Sequence, residues 1–208
     1  MSAKKNGANH YLWFDTEYTT LDMERAELLQ VSMCVTDAKL RRVLPPEKDV
    51  NLYLHFGGKA DPWVEENLGT VLEKCRASDI SLEDADEFTA KHLDDLFGDP
   101  KTEIRQRPVL AGNSVHADWF LVRRLMPKLL SRIHYRLLDV TSIKLEWMRY
   151  HKGSTFDKEN PGQVKRFFPA AVLDGDIGPH DAYYDVQASI AELAYYRSRM
   201  QKKPAVKA

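Results

Sequence analysis

Two acidic side chains, Asp15 and Glu17, directly follow an apolar and aromatic run that begins at Tyr11. Such a run predicts a buried β-strand, and residues i and i+2 of a strand project from the same face. Adjacent carboxylates at the end of a buried strand repel each other unless a cation neutralises them. Mg²⁺ or Mn²⁺, which prefer oxygen ligands, would suit this pair. The alternative is a strand that ends and releases both acids to solvent, the commoner outcome for an isolated D-x-E.

Two further acids stand where predicted elements begin. Asp118 falls in the first turns of a helix after the fourth strand, and Asp185 falls one turn into the last helix. His180 precedes Asp185 by five residues, about one and a half helical turns, so both can overhang the same end of a sheet. Taken singly, the acids are explained as solvated helix residues and His180 as a loop histidine. Their joint occurrence favours one site.

Hydrophobic periodicity predicts the elements that must position these residues. After the opening strand, alternation predicts a half-buried strand over residues 27–37 and a third strand over residues 50–56. Three consecutive strands on short connections indicate an antiparallel meander. Further short strands are predicted over residues 108–112 and 136–140. Helices are predicted over residues 61–75, 82–96, 115–126, about 141–150 and 181–200, the second of them starting from a capping box at Ser81.

These elements predict an α/β layer architecture in one domain over residues 10–200. Residues 1–9 are expected to be a flexible N-terminus and residues 201–208 a flexible tail. Residues 151–178 are the least patterned part of the chain, and a loop of this length is usually functional or mobile.

Composition limits the classes of function. The net charge is −1, without a run of five like charges, which argues against gripping a long polyanion over many phosphates. A short anionic substrate held at a few points is compatible with this balance. Cys34 and Cys75 lack metal-ligand spacing and are expected to be buried thiols in a reducing compartment. The polar N-terminus is no signal peptide and no apolar run is long enough for a membrane span, so a cytoplasmic protein without membrane partners is expected.

The ordered pattern of D-x-E at Asp15, a helical Asp118 and H-x-A-x-x-D ending at Asp185 resembles the DEDD exonuclease superfamily. The spacing indicates its histidine-containing (DEDDh) branch. In the tyrosine branch a Tyr stands four residues before the last Asp, where this chain has Asp181.

The resemblance is closer to the oligoribonuclease family. It extends through several blocks, which are Trp13 to Asp22, Leu110 to His116, Met126-Pro127, His134 to Arg136 with Leu138 to Val140, and Ser189 to Leu193 with Tyr196-Arg197. These blocks span most of residues 11–199, and the second is too specific to arise by chance.

This resemblance implies a ribonuclease H-like fold, with a five-stranded mixed sheet flanked by helices. It also implies that Asp15, Glu17, Asp118 and Asp185 hold two divalent ions, Mg²⁺ or Mn²⁺, with His180 as general base. Two such ions about 3.5–4 Å apart can stabilise the attacking and leaving oxygens of a phosphodiester displacement. A neutral imidazole can take the proton of the attacking water.

The resemblance further implies a homodimer that binds short single-stranded RNA. The matching substrate-binding positions are Leu21, Trp63, Ser114, Tyr135, Arg136, Thr141 and Lys144, several of which would reach across from the other subunit. A cation near a helix start, such as Arg136 or Lys144, is a sensible anion site. Each weaker assignment has an alternative: Trp63 and Tyr135 as core residues, and Arg136 as a surface arginine.

The chain departs from the family pattern beside the catalytic strand and in the cleft. Tyr18 and Thr20 replace a methionine and a glycine, Asn67 and Leu68 stand where paired histidines are expected, and the loop before His180 is longer. We therefore predict a 3′–5′ exoribonuclease that converts short oligoribonucleotides, including dinucleotides, to mononucleotides. Two alternatives stay open: a broader 3′–5′ exonuclease on longer RNA or single-stranded DNA, and a non-catalytic relative that only binds nucleic acid.

Overall fold

The structure, a computed structural model, describes residues 7–98, 103–151, 155–173, 175 and 177–200. Its centre is a five-stranded mixed sheet in the order β3-β2-β1-β4-β5. The strands are β1 (His10–Tyr18), β2 (Leu28–Asp37), β3 (Val50–Tyr53), β4 (Val109–Gly112) and β5 (Leu137–Asp139). The predicted α/β, ribonuclease H-like architecture is confirmed.

The helices pack around this sheet. They are α1 (Pro62–Asn67), α2 (Gly69–Ala77), α3 (Leu82–Phe97), α4 (His116–Leu125), α5 (Pro127–Leu130), α6 (Val140–Tyr150), α7 (Pro161–Phe167) and α8 (Ala182–Met200). The predicted capping box forms at the start of α3, where the Ser81 hydroxyl accepts from the Asp84 N–H and the Asp84 carboxylate accepts from the Ser81 N–H. In the part of the chain that the structure describes, no helix has the length and apolarity to cross a membrane.

The strand directions bring three strand ends together. β1 is antiparallel to β2, and β2 to β3, which confirms the meander. β4 runs parallel to β1, and β5 runs parallel to β4. The carboxyl ends of β1, β4 and β5 therefore meet at one edge of the sheet, and each is followed by a segment that carries a candidate site residue.

The two faces of β1 pack against different helices. Leu12 and Phe14 belong to a core cluster with residues of α3, α4 and α5. Trp13 lies on the other face, in a cluster with residues of α6, α7 and α8. Because side chains alternate along a strand, Asp15 and Glu17 share the face of Trp13, and Thr16 shares the face of Phe14.

The prediction that β2 is half-buried is wrong, since nine of its ten residues are buried. Packing of α8 covers the face that carries its polar residues, and each of them finds a hydrogen-bond partner there. The Trp13 indole donates to the Thr36 hydroxyl (2.8 Å), and the side-chain Oε1 of Gln30 accepts from the Ala182 N–H (3.0 Å). The satisfied polar groups are what make burial of both faces possible.

The third strand and the first helix have bounds that differ from the prediction. The third strand ends at Tyr53. The Leu54 N–H still donates to Leu29 of β2, but the N–H groups of His55 and Phe56 donate to Ile80 and Cys75. The helix predicted over residues 61–75 is two helices that meet at Leu68, a residue with non-helical dihedral angles.

The loop predicted over residues 151–178 contains a helix, α7. Asn160 caps it by accepting from the N–H groups of Gly162 and Gln163, with Pro161 at the first position. Of the predicted flexible ends, residues 1–6 and 201–208 lie outside the described residues, and Gly7–Asn9 form a 3₁₀ turn. Cys34 and Cys75 are free and buried, as predicted.

Candidate active site

Three carboxylates converge at the carboxyl end of β1. Asp15, Glu17 and Asp185 each offer an oxygen, and these oxygens lie within 4.8 Å of one another. Asp15 and Glu17 come from the face of β1 that α8 covers, and Asp185 comes from the first turn of α8. Strand periodicity and the helix start thus bring residues from near both ends of the chain into one cluster.

Asp118 adds a fourth acid from the opposite face of the sheet. It stands in the first turn of α4 and is 5% exposed, which rules out the alternative of a solvated helix acid. The Thr16 hydroxyl, which lies between the two acids of β1 in sequence, donates to Asp118 Oδ1 (2.7 Å). The resulting hydrogen bond ties α4 to β1 next to the other carboxylates.

The electrostatics of the cluster disfavour four simultaneous charges. Burial, followed by the nearby Asp118 and Asp185 carboxylates, raises the pKa of Asp15 well above its usual value. Burial and the same kind of repulsion raise the pKa of Glu17 to about 9. Burial raises the pKa of Asp118 to about 7, although the hydrogen bond from Thr16 acts in the opposite direction and lowers it. Oxygen ligands that repel one another this strongly fit divalent cations such as Mg²⁺ or Mn²⁺.

Gly112 holds β4 close to β1 beside Asp15. A Cβ atom at this position would lie 2.8 Å from the Phe14 carbonyl oxygen, a distance that real Cβ contacts do not reach. Because that oxygen belongs to the backbone, a side chain at this position would displace β1 next to Asp15. The glycine is therefore part of how the sheet places the cluster.

A lysine that the sequence analysis missed reaches the cluster. Lys158 lies in the segment before α7, and its Nζ is 3.1 Å from Asp185 Oδ1. The pKa of Lys158 is raised although burial alone would lower it, because the Asp185 and Asp15 carboxylates favour the ammonium form. No periodicity or motif marks this residue, so only the tertiary structure identifies it.

His180 lies beside the cluster rather than within it. Its backbone N–H donates to Asp185 Oδ2 (3.2 Å), and its side chain is exposed. The ring packs edge-on against Trp63, with ring centroids 5.7 Å apart. The φ angle of His180 is 65°, in the left-handed region where non-glycine residues are uncommon and often functional.

A cleft of about 440 Å³ opens above the acids. Asp15, Glu17 and Asp185 line one part of it, and Leu21 and Trp63 line another. Leu21 is 84% exposed and Trp63 is 54% exposed, so the alternative of Trp63 as a core residue is wrong. The large apolar surfaces beside the acids are suited to stacking or wedging against bases.

The residues that depart from the family pattern also line this region. Tyr18, Thr20 and Leu68 contribute to the acidic cleft. Asn67 donates its side-chain amide to the Trp63 carbonyl oxygen (2.8 Å) and lines an adjoining cleft with His180. The departures from the family pattern therefore lie in the walls of these clefts, and the four acids of the cluster are all present.

The other candidate substrate residues fall into two groups. Ser114, Thr141 and Lys144 follow β4 and β5, at the sheet edge of the acids. The Ser114 N–H donates to the Thr141 hydroxyl (2.9 Å), and Lys144 Nζ is 3.7 Å from the fully buried Glu192.

Tyr135 and Arg136 form the second group. They precede β5, so they lie toward the opposite edge of the sheet from the acids. There they line a separate cleft of about 520 Å³ with Arg105 and His134. Tyr135 is 58% exposed and therefore not a core residue.

Comparison with known proteins gives consistent matches. Residues 12–193 match the exonuclease family (RNase_T). The oligoribonuclease of Klebsiella pneumoniae is 30% identical over 212 residues, covering 97% of this chain and 99% of its own. A probable oligoribonuclease of Dictyostelium discoideum is 31% identical, covering 89% and 87%.

Two solved structures share the fold. An exonuclease I from Methylocaldum szegediense superposes with a TM-score of 0.63 at 18% identity, covering 93% of this chain and 41% of its own. S. pombe Pop2p, in a form with Mg²⁺ and Mn²⁺ bound, gives a TM-score of 0.57 at 12% identity, covering 92% and 83%.

Fold, converging acids and family match together define a nuclease, an enzyme that hydrolyses phosphodiester bonds. The chain belongs to the exonuclease family and, within it, to the oligoribonucleases.

Proposed function

We propose that this protein is a 3′–5′ exoribonuclease that removes nucleotides from the 3′ ends of short single-stranded oligoribonucleotides. The observation that carries the proposal is the convergence of Asp15, Glu17 and Asp185 within 4.8 Å, with Asp118 hydrogen-bonded beside them. Membership of the oligoribonuclease family supports RNA as substrate and the 3′ end as the point of attack.

The four carboxylates would hold two divalent ions, Mg²⁺ or Mn²⁺. When bound, such ions stabilise the attacking and leaving oxygens of an in-line displacement at phosphorus. The protein supplies the negative charge that retains them, and Thr16 fixes the orientation of Asp118. The Mg²⁺- and Mn²⁺-bound form of the structural relative Pop2p supports this choice of ions.

His180 would act as the general base that takes the proton of the attacking water. Its N–H is already tied to Asp185, and its ring rests on Trp63 at the rim of the cleft. In this role the ring would turn toward the acids when substrate binds. Catalytic contacts that tighten only when substrate binds are common in enzymes.

Leu21 and Trp63 would contact the bases of the substrate. The other wall of the substrate site would consist of Ser114, Thr141 and Lys144, at the edge of the sheet. Tyr135 and Arg136 line a different cleft of their own chain, toward the opposite edge. They can contribute to substrate binding only if a second subunit presents them, so we include a homodimer in the proposal.

A time course on 5′-labelled RNAs of two to ten nucleotides, with Mg²⁺ or Mn²⁺ and with EDTA, tests the proposal. Progressive shortening from the 3′ end that depends on metal supports it, and faster cleavage of the shortest RNAs supports the preference for short substrates. Equal rates on long RNA or on single-stranded DNA would favour the broader exonuclease. Products that differ by several nucleotides would contradict an exonuclease.

The role of the second subunit has its own test. Charge-assisted hydrogen bonds to phosphate contribute about 1.5–3 kcal/mol, and a dinucleotide has few other contacts. Arg136→Ala should therefore slow cleavage of 5′-phosphorylated dinucleotides by about tenfold or more and that of a seven-nucleotide RNA much less. Equal effects at both lengths, or a monomer by light scattering that still prefers dinucleotides, would contradict this part of the proposal.

A further inference from the structure

The acidic cluster contains a cation from the chain itself. Lys158 Nζ lies 3.1 Å from Asp185 Oδ1, within hydrogen-bond and ion-pair distance. Asp185 is one of the three acids whose oxygens lie within 4.8 Å of one another. An ammonium at this distance from a carboxylate competes for the same oxygen that a metal ion would use.

Neighbouring contacts place Lys158 in the cluster. Its carbonyl oxygen accepts a hydrogen bond from the Tyr184 hydroxyl (2.8 Å), so its backbone is tied to α8 next to Asp185. Phe156, two residues earlier, is 3% exposed and packs against Phe167 and Tyr195. Asn160, two residues later, caps α7. Lys158 is thus held between two anchored residues rather than carried on a free loop.

We propose that Lys158 is a resident counter-cation of the metal site, which neutralises Asp185 in the metal-free enzyme and competes with divalent cations for it. This inference rests on the proposed function, because it requires Asp185 to hold metal. Its consequences are a weaker repulsion among the acids in the metal-free enzyme and a metal affinity lower than the four carboxylates alone would give. The ammonium must leave Asp185 when metal binds, which the length and flexibility of a lysine side chain allow.

The test measures metal binding directly. Calorimetric titration of the full chain with Mn²⁺ is compared for wild type, Lys158→Met, Lys158→Arg and Lys91→Met. The Lys158→Met variant has lost a charge-assisted contact with Asp185, so its affinity for Mn²⁺ should be about tenfold or more higher than that of wild type. Lys158→Arg keeps the charge and should stay close to wild type. Lys91 forms a comparable pair with Asp95 on exposed α3, so Lys91→Met is the matched control.

Thermal unfolding separates competition from a structural role. In EDTA, Lys158→Met should melt below wild type, because the acids lose their counter-charge. In saturating Mn²⁺ the difference should disappear, because the ion now neutralises them. Unchanged or weaker Mn²⁺ affinity in Lys158→Met, or an equal loss of melting temperature with and without Mn²⁺, overturns the inference. If wild type itself binds no Mn²⁺, the proposed function fails, and this inference fails with it.

Discussion

The acidic cluster and the segments that lead into α8 are two halves of one site, built in different ways. The acids stand on regular elements: Asp15 and Glu17 on the central strand, and Asp118 and Asp185 in the first turns of helices on opposite faces of the sheet. Lys158 and His180 stand on connecting segments outside the helices. The acids form the fixed half. Lys158 and His180 form the movable half, because in the proposals above each of them moves when metal or substrate binds.

The largest effect is expected from a substitution in the acidic cluster. Asp15→Asn removes one of the charges proposed to hold metal. Metal ions contribute several kcal/mol to such reactions, so RNA hydrolysis should fall by about 10³-fold or more. The same change relieves charge repulsion, because the pKa of Asp15 is raised by burial and by neighbouring acids. The variant should therefore melt above wild type in EDTA at pH 8.

Exposed Asp79 provides a control for that experiment, since Asp79→Asn leaves the cluster untouched. Its activity and its melting temperature should match wild type. Near-normal hydrolysis by Asp15→Asn would contradict the assignment of the cluster as the active site.

The next largest effect tests the movable half. A general base contributes about 10²–10⁴-fold, so His180→Ala should lose turnover by that amount. Its Mn²⁺ affinity should change little, because the contact with Asp185 comes from the backbone N–H and survives the substitution. His55→Ala, a change at another exposed histidine, should retain full activity. A collapse of metal affinity in His180→Ala would make His180 a ligand and would remove the distinction between the two halves.

A smaller effect is expected from a substitution at Trp63. Trp63 lines the acidic cleft and supports the His180 ring. Stacking on a base contributes about 1–3 kcal/mol, so Trp63→Ala should raise KM for short RNA by about tenfold. Tyr150→Ala removes an exposed aromatic outside the cleft and should leave KM unchanged. An effect of Trp63→Ala confined to kcat would show that Trp63 acts only through His180.

The smallest effect is a pH dependence of stability. The folded-state pKa of Glu17 is about 9, against an ordinary value of 4.5, and that of Asp118 is about 7, against 3.8. The folded protein therefore holds protons that the unfolded chain releases, so stability falls as pH rises between these values. In EDTA the melting temperature should fall by several degrees from pH 5.5 to 8.5, since about 1 kcal/mol shifts it by about 2–4 °C.

Two comparisons test whether the raised pKa values cause this change of melting temperature with pH. Saturating Mn²⁺ should flatten it, because bound metal favours the ionised acids. Glu17→Gln should reduce the pH dependence, because the Glu17 carboxyl, whose folded-state pKa is the higher of the two, is then absent. A melting temperature that rises over this range in EDTA would contradict the raised pKa values.

The fixed half and His180 were predictable from the sequence, whereas Lys158 was not, for a physical reason. The positions of Asp15, Glu17 and Asp185 follow from strand alternation and from a helix start, which are local rules. Lys158 depends on a hydrogen bond from Tyr184 and on the burial of Phe156, both contacts with α8 that no local pattern encodes.

The same distinction explains the corrections to the fold. The alternation in β2 identified a strand, but burial of its polar face depends on α8, which is far away in sequence. Helix α7 was missed because its hydrophobic signal is short and its cap, Asn160, stands in a segment rich in Pro and Gly. Leu68 interrupts a helix that periodicity alone extends.

The position of α8 in the chain has a consequence during protein synthesis. Asp15 is synthesised well before Asp185, and α8 also closes the core over β1 and β2. The acidic cluster therefore cannot assemble on a nascent chain until α8 has left the exit tunnel and docked. With the proposed active site incomplete, a chain still under synthesis is inert beside the messenger RNA that encodes it.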